Sequence, residues 1–258
     1  MPTRVLKFGG AAVATPACFA QIADLIIAQR RGDARLVVTL SAMGGMTDQL
    51  ITLAKQVHPE PPQREFDMLV SVGERISISL LAMALCFKGE EAMSFTGSQS
   101  GIITCQRHAE ARIIDVRPRR LEEALDLGKI VIVAGFQGVS FEKEITTLGR
   151  GGSDTSAVAL GIALKASEVV FFKDVPGVFD KDPKLHPDAL PYSRLSYQAA
   201  SDIVDCGAKV LHPRAIRLAA ANGLPLHVRS FLPIHQAHQG TVIAELEKER
   251  RMMPIYEI

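Results

Sequence analysis

The chain has 258 residues, of which 47% are hydrophobic and 22% charged, which is typical of a folded globular protein and excludes a disordered one. Its 29 Lys and Arg against 28 Asp and Glu give a formal net charge of +1, so no global field attracts nucleic acid or an anionic membrane. Four widely separated cysteines without a CxxC pair indicate free thiols in a reducing compartment, not a disulfide framework or a zinc site. The amino terminus has no apolar h-region and we see no run of membrane-spanning length, so we expect a cytoplasmic protein.

Short apolar strands alternate with helices along most of the chain. Continuous β-branched runs such as residues 35–40 and 129–134 are typical of strands buried on both faces, and apolar residues recur at helical spacing between them. We predict strands at residues 4–8, 35–40, 92–97, 112–116, 129–134, 167–172, 226–229 and 240–244, with a hairpin across 139–147. We predict helices at residues 11–31, 47–57, 63–87, 118–127, 153–164, 192–206 and 212–221, and a loop at 97–104.

This alternation predicts the α/β class, as a three-layer sandwich whose central sheet is largely parallel and covered by helices on both faces. Ligands bind such sheets beyond the carboxyl ends of the strands. Glycine-rich corners follow Phe8, Leu40, Ala134 and Phe172. We therefore expect these four corners to line one crevice.

The segment 146–157, TTLGRGGSDTSA, is the strongest local signal for a ligand. Gly149, Gly151 and Gly152 permit positive φ and a close backbone approach, while Ser153 and the aspartate after it open a helix. A helix N-terminus beside a glycine loop suits a carboxylate or a phosphate, and Arg150 adds a planar fork for either. The alternative is a tight turn with an ordinary N-cap.

Several motifs of phosphate and acyl chemistry are missing. The sequence has no GxxxxGK[ST], no GxGxxG after the first strand, no HRD or DFG, and no GxSxG. His235 and His238 lie three residues apart without a carboxylate or cysteine nearby, which favours a surface pair over a metal site. We predict no metal site formed by the protein alone.

Charged residues at strand and helix ends remain as candidates, each with two interpretations. Lys7, in a buried strand, either faces a ligand or extends its side chain out to solvent. Glu74, in an apolar helix, either pairs with Arg75 or another base, or holds an ammonium group. Lys209, close after Gly207, either faces a ligand or is simply a charge at a helix C-terminus. Residues 182–184 either contribute to a ligand site or form a simple turn.

Taken together, seven collinear segments resemble the aspartate kinases of the amino acid kinase family. They are KFGG (7–10), SAMGGMTDQL (41–50), SVGERIS (71–77), GFQG (135–138), TTLGRGGSD (146–154), DVPGVFDKDP (174–183) and GAKVLHP (207–213). The resemblance implies the amino acid kinase fold over residues 1–244, with an amino-acid-binding lobe to about 140 and a nucleotide-binding lobe from about 141. We expect residues 245–258 to be a charged, peripheral tail, with no ACT regulatory domain in the chain.

The resemblance implies transfer of the γ-phosphoryl group of ATP, with Mg²⁺, to the side-chain carboxylate of L-aspartate. The product is 4-phospho-L-aspartate, the first step towards lysine, threonine and methionine, and the enzyme is expected to be a homodimer. An aspartate carboxylate is already ionised at neutral pH, so the chemistry needs positioning and charge neutralisation and no general base. Arg150 is assigned to the α-carboxylate of the substrate and Glu74 to its ammonium.

Site residues are carried over from the resemblance position by position. Lys7, Asp154 and Lys209 are the implied catalytic residues, with Asp154 orienting Lys7 or the metal-bound phosphates. The implied aspartate site is Thr47, Glu74, Arg150, Gly151, Gly152 and Ser153. The implied ATP site is Lys7, Phe8, Gly9, Gly10, Ser41, Lys173, Asp174, Phe179, Lys181, Asp182, Lys184 and Lys209.

The sequence departs from the family pattern after Gly10, where Ala11 and Ala12 replace the usual hydroxyl residues. This predicts one hydrogen bond fewer to the phosphates and weaker turnover. Two alternatives stay open. One is a kinase of the same fold acting on glutamate, acetylglutamate, carbamate or a nucleotide, and the other is a non-catalytic binding or regulatory paralogue.

Overall fold

The computed structural model describes residues 2–30, 34–183, 185–186, 188–208, 210–235, 237–245 and 254–257, so the predicted site residues Lys184 and Lys209 lie outside it. Its strands are β1 Thr3–Phe8, β2 Arg35–Leu40, β3 Ala92–Phe95, β4 Ile102–Thr104, β5 Ile113–Val116, β6 Ile130–Ala134, β7 Gln137–Ser140, β8 Ile145–Thr147, β9 Val169–Lys173, β10 Arg194–Leu195, β11 Leu226–Ser230 and β12 Thr241–Ile243. Its α-helices are α1 Pro16–Gln29, α2 Met46–Val57, α3 Gln63–Val70, α4 Val72–Phe87, α5 Arg119–Asp126, α6 Gly152–Ala163, α7 Tyr197–Asp205 and α8 Pro213–Asn222. Short 3₁₀ helices cover Gly10–Val13 and Pro233–His235.

An eight-stranded sheet forms the centre, in the order β10-β12-β11-β9-β1-β2-β6-β3. From β11 to β3 all neighbours are parallel, and only β12 runs antiparallel to its neighbour β11. β1, from the predicted amino-acid-binding lobe, pairs with β9 from the predicted nucleotide-binding lobe. One continuous sheet therefore runs through both predicted lobes.

The side chains of the central strands alternate between two cores, one on each face of the sheet. Val5 packs with α5, α6, α7 and α8 on one face, whereas Leu6 and Phe8 pack with α1 and α4 on the other. Period-two alternation explains this division, because successive strand residues point to opposite faces. The predicted three-layer α/β sandwich is confirmed.

A second sheet of four strands, β5-β4-β7-β8, lies outside the central one. The predicted hairpin is confirmed, since β7 and β8 pair antiparallel. The prediction of a loop throughout residues 97–104 is wrong at its end, where β4 pairs with both β5 and β7. Three residues are too short for a local strand signal, so tertiary pairing determines this element.

The helix predicted over residues 63–87 is broken at Ser71 into α3 and α4. The side-chain amide of Gln137 donates to the Ser71 carbonyl at 2.8 Å. This bond lies at the junction of the two helices, and the sequence alone did not reveal it. The combined stretch Gln63–Phe87, with a mean hydropathy of 1.7, has the length and composition of a membrane span, contrary to our expectation from the sequence. Ile78, Leu81 and Leu85 of α4 nevertheless pack in the core of this protein.

Two further expectations near the carboxyl end are wrong. The helix predicted at 192–206 begins only at Tyr197, because Ser196 caps α7 by accepting from the backbone of Ala199 at 3.1 Å. Residues 254–257 are not peripheral: the backbone N–H of Ile255 donates to the side chain of Asn222 at 2.9 Å, and Glu257 binds an arginine of α8. The rest of the predicted tail beyond Glu245 lies outside the described residues.

Candidate active site

A cavity of about 510 Å³ opens at the carboxyl ends of the central strands. The four glycine-rich corners contribute Gly10 after β1, Ser41 after β2, Phe136 after β6, and Lys173 at the end of β9. This is the edge at which parallel α/β sheets bind ligands. The expected shared crevice is therefore present.

Two lysines share one buried carboxylate in this cavity. Nζ of Lys7 lies 2.6 Å from Oδ1 of Asp154, and Nζ of Lys173 lies 3.6 Å from Oδ2 of the same residue. Strand alternation explains the meeting, because Lys7 points to the sheet face that α6 covers, and Asp154 lies in the first turn of α6. The side chain of Lys7 is 5% exposed, so it faces the cavity and not bulk solvent.

The charges of this trio determine their protonation states. Burial by itself would raise the pKa of Asp154, but the positive charges of Lys7 and Lys173 outweigh it and hold that pKa at about 2. Burial lowers the pKa of Lys173, and Asp154 opposes the change. Asp154 is therefore a carboxylate throughout the physiological range, and it aligns two ammonium groups at the cavity wall.

Glu74 is the second buried acid of the cavity, on α4, and it is 3% exposed. Its Oε1 accepts from the backbone N–H of Ala42 at 3.0 Å, and its Oε2 has no hydrogen-bond partner within the described part of the chain. Burial raises its pKa to about 7. A buried, half-satisfied carboxylate is costly, so an incoming cationic group would be strongly stabilised here.

The glycine loop lines the same cavity. Gly149 and Gly151 have φ of 69° and 72°, as the sequence predicted, and a Cβ on Gly151 would lie 2.0 Å from Cγ of His212. The helix begins one residue before Ser153, with Gly151 as the N-cap and no side-chain cap. Asp154 is thus inside the first turn, where it contacts lysines and does not cap the helix, contrary to the N-cap alternative.

Most of the predicted aspartate site lines this cavity, namely Thr47, Glu74, Gly151, Gly152 and Ser153. Arg150 does not line it. Its side chain faces a neighbouring cavity of about 650 Å³, and Gly149 lines both cavities. In this structure the predicted α-carboxylate ligand therefore lies at the boundary, on the far side of the glycine loop.

The predicted ATP site is only partly gathered. Lys7, Gly10, Ser41 and Lys173 line the cavity, and Gly9 adjoins it, since a Cβ there would lie 3.6 Å from Nζ of Lys7. Phe8 belongs to the core, where its ring stacks on Phe172 with centroids 4.7 Å apart. The segment after β9, with Asp174, Phe179, Lys181 and Asp182, lies away from the cavity lining; Lys181 pairs with Asp188 at 3.0 Å. Of the two departures from the family pattern, Ala11 lines the cavity and Ala12 is buried in the core.

Several contributing residues escaped the sequence analysis. Ala42 donates its backbone N–H to Glu74, and Phe136 lines the cavity with a φ of 67°. Asp67 is fully buried and binds the backbone N–H of Ala109 at 3.1 Å and the hydroxyl of Thr147 at 2.5 Å, just before the glycine loop. The position of Phe136 inside a Gly-x-x-Gly corner after a buried strand could have indicated its role. Nothing local marks the other two.

The fold and the cavity together define a class: a three-layer α/β protein whose lysines and glycine loop line a cavity over the ends of a parallel sheet. The chain belongs to the amino acid kinase family, which matches residues 2–230.

Within this family, the chain is similar to proteins named aspartokinase. An aspartokinase of Corynebacterium glutamicum is 47% identical over 241 residues, which are 93% of this chain and 56% of the relative. Aspartokinase 2 of Bacillus subtilis is 47% identical over 241 residues, which are 93% of this chain and 58% of the relative. This chain therefore spans little more than half the length of these relatives.

Solved structures agree with the fold. The aspartate kinase of Synechocystis superposes with a TM-score of 0.84 at 43% identity, covering 96% of this chain and 40% of that one. Aspartokinase III of E. coli, in complex with aspartate and ADP, superposes with a TM-score of 0.84 at 26% identity, covering 95% of this chain and 65% of that one.

Proposed function

We propose that this chain is the kinase part of an aspartate kinase. It transfers the γ-phosphoryl group of ATP to the β-carboxylate of L-aspartate, giving 4-phospho-L-aspartate and ADP, at the start of lysine, threonine and methionine biosynthesis. The main support is a single cavity in which Lys7 and Lys173 both pair with the carboxylate of Asp154. The same cavity contains Glu74, whose Oε2 has no hydrogen-bond partner among the described residues. Similarity to proteins named aspartokinase supports the same activity.

The acceptor half of the cavity suits an amino acid. Glu74 offers its free oxygen to the ammonium group of the substrate, and this pairing separates an amino acid from a simple dicarboxylate. Thr47 and Ser153 line the same space and offer hydroxyls for orientation. Arg150 is the ligand for the α-carboxylate, and it reaches the substrate by turning its side chain around Gly149 into this cavity.

The donor half suits the terminal phosphates of ATP. Lys7 and Lys173 neutralise the γ-phosphoryl oxygens, and Asp154 keeps both ammonium groups aligned before substrate arrives. A Cβ on Gly10 would lie 3.0 Å from the Ala42 carbonyl oxygen, which is a tight contact, so the backbone of Gly10 lies close against this part of the cavity wall. A β-carboxylate oxygen then bonds to phosphorus as the bond to the leaving ADP oxygen breaks, and no proton moves. Lys209 is assigned to the same phosphates by the family resemblance.

The residues of the cavity also fit Mg²⁺. This ion usually keeps several waters and binds substrate phosphates together with one or two carboxylates, and Asp154 and Asp48 both line the cavity. When bound, Mg²⁺ supplies further charge neutralisation to the phosphates. The described residues contain no cluster of three or more His, Cys, Asp or Glu that would bind a metal without the nucleotide.

Trapping of aspartyl phosphate with hydroxylamine, with aspartate present and absent, tests the activity directly. We expect Lys7→Ala to lower kcat by at least about a hundredfold with little change in the aspartate KM, because Lys7 acts on the phosphoryl group. Lys88→Ala is a matched control, since Lys88 forms a surface ion pair with Asp24 at 2.8 Å. Near-normal kcat in Lys7→Ala, or no trapped product in the parent enzyme, would contradict the proposal.

The same assay separates the alternatives that the sequence left open. ADP release with glutamate, acetylglutamate, carbamate or a nucleotide in place of aspartate would identify a kinase with another acceptor. Absence of ADP release with every acceptor would favour a non-catalytic paralogue.

We propose that the enzyme is a homodimer in the cytosol. Apolar side chains on α4 form an exposed stripe at helical spacing, with Val72 37%, Ile76 38%, Met83 66% and Phe87 93% exposed, and a second copy would cover it. Four free cysteines accord with a reducing compartment. Light scattering should give a dimer mass for the parent protein and a monomer mass for Met83→Glu; a monomeric parent would rule the dimer out.

A further inference from the structure

A second cavity, of about 650 Å³, lies beside the catalytic one and is larger than it. Its lining comes from the segment around residues 107–112, from Leu148 and the glycine loop, from α8 and from the docked segment 254–257. This volume is within the range of small-molecule sites. The proposed phosphoryl transfer does not use it.

The lining of this cavity is strongly basic, unlike the chain as a whole. Among the residues that the structure describes, five arginines line it against two glutamates, whereas the whole chain has a net charge of +1. Three of them, Arg107, Arg150 and Arg217, form no ion pair with any residue that the structure describes. Unneutralised guanidinium groups around a concave surface favour an anion with several carboxylate or phosphoryl oxygens.

One carboxylate already occupies part of this cavity, and it comes from the chain itself. Glu257 binds Arg214 through both oxygens, at 2.6 Å to Nε and 2.8 Å to Nη2, and Oε2 also accepts from the backbone N–H of Ile113 at 3.2 Å. Burial raises the pKa of Tyr256 to about 12, so its hydroxyl stays a neutral donor beside them. The cavity therefore binds a carboxylate in fork geometry at Arg214, and Arg107, Arg150 and Arg217 remain for a further anion.

The two cavities share the glycine loop. Gly149 lines both, and Arg150 follows it with its side chain in the second cavity. Arg214 also donates to the carbonyl of Leu148, directly before the loop, at 2.5 Å. The Arg150 side chain therefore lies in the second cavity and outside the proposed catalytic one, and the glycine loop connects the two.

We propose that the cavity lined by Arg107, Arg150 and Arg217 is a binding site for a small polyanion, a di- or tricarboxylate or a phosphate, that competes with the acceptor substrate for Arg150. The binding itself is independent of the proposed function, whereas the competition rests on the proposed role of Arg150 in holding aspartate. Occupancy of the site lowers the affinity for the acceptor and leaves the phosphoryl-transfer step unchanged.

Calorimetric titration of the whole chain at low ionic strength tests the binding, with tricarballylate and inorganic phosphate as separate probes. We expect Arg107→Ala/Arg217→Ala to weaken the tighter probe at least about tenfold, because two charge-assisted contacts are lost. Arg64→Ala/Arg119→Ala removes the same charge from surface ion pairs elsewhere and should leave binding unchanged. No binding, or equal loss in both double variants, overturns the site.

The competition is measured as the aspartate KM with the probe at ten times its Kd and free Mg²⁺ held constant. We expect KM to rise about tenfold with kcat unchanged, because only the probe-free enzyme can present Arg150 to aspartate. In Arg107→Ala/Arg217→Ala, basal kinetics should be retained and the rise should disappear. An unchanged KM in the parent enzyme overturns the competition. If the parent enzyme does not use aspartate, the proposed function fails, while the calorimetry alone still decides the anion site.

Discussion

Replacing Asp154 with Asn tests the buried charge cluster on which the site depends. The substitution keeps the shape but leaves Lys7, 5% exposed, without its partner at 2.6 Å. Removing one member of a buried ion pair costs about 3–5 kcal/mol. The fall in the pKa of Asp154 from 3.8 to about 2 on folding corresponds to about 2 kcal/mol. We therefore expect Asp154→Asn to destabilise the protein by about 2–4 kcal/mol at pH 7.

The stabilising effect of the Asp154 carboxylate depends on pH in a defined direction. Because folding lowers this pKa, the stabilisation is complete above about pH 4 and is lost as the pH falls towards about 2. Urea unfolding of both proteins should give a difference that is large at pH 7 and shrinks below about pH 3. A difference under about 0.5 kcal/mol at pH 7, or one that does not change with pH, would refute this reasoning.

A double-mutant cycle identifies the partner. Lys7→Met should relieve part of the cost of Asp154→Asn, because it removes the charge that the first substitution left unpaired. We expect a coupling energy of at least about 1 kcal/mol. Simple additivity of the two single variants would place the destabilisation elsewhere.

Three further predictions concern the same wall and the segment behind it. Folding raises the pKa of Glu74 from 4.5 to about 7, so the free energy of unfolding should fall as the pH rises between these values. In urea unfolding, Glu74→Gln should remove this pH dependence and be about 3 kcal/mol more stable than the parent protein at pH 8. The same substitution should raise the aspartate KM. In thermal unfolding, Gly151→Ala should destabilise the protein by more than about 3 kcal/mol, because the added Cβ would meet the ring of His212. Gly89→Ala is the control: Gly89 has a φ of +85° in open space, so this substitution should cost only about 1–2 kcal/mol. Equal losses of stability in the two variants would exclude the clash. Glu257→Gln weakens the bidentate ion pair with Arg214, which also binds the Leu148 carbonyl before the glycine loop. This substitution should speed amide hydrogen exchange in the glycine loop and leave exchange in β2 unchanged. Unchanged exchange in the loop would show that the ion pair does not stabilise it.

Much of the fold was predictable because its signals are local. Strand β2 has the predicted bounds of Arg35–Leu40, and the glycines at 149 and 151 have the predicted positive φ. Continuous apolar runs and glycine punctuation depend on neighbouring residues alone, so they can be read without tertiary context.

Other features depended on residues far apart in the chain. The side chain of Gln137 binds the Ser71 carbonyl at the junction of α3 and α4, and Asn222 and Arg214 bind the docked segment 254–257. Hydrophobic periodicity is read over a short window of sequence, so it cannot detect contacts between residues that lie far apart in the chain. The same reason explains why the buried Asp67 was missed.

The sequence by itself determined the layered α/β class, the family and most of the residues around the candidate active-site cavity, because these follow from hydrophobic period and from short motifs in a fixed order. Only the tertiary structure decided which charges meet. It placed Lys7 and Lys173 on Asp154, left one oxygen of Glu74 without a partner in the described chain, and turned Arg150 into a second, arginine-lined cavity. Burial and distance govern electrostatic energy, and both are properties of the folded chain that no linear pattern contains.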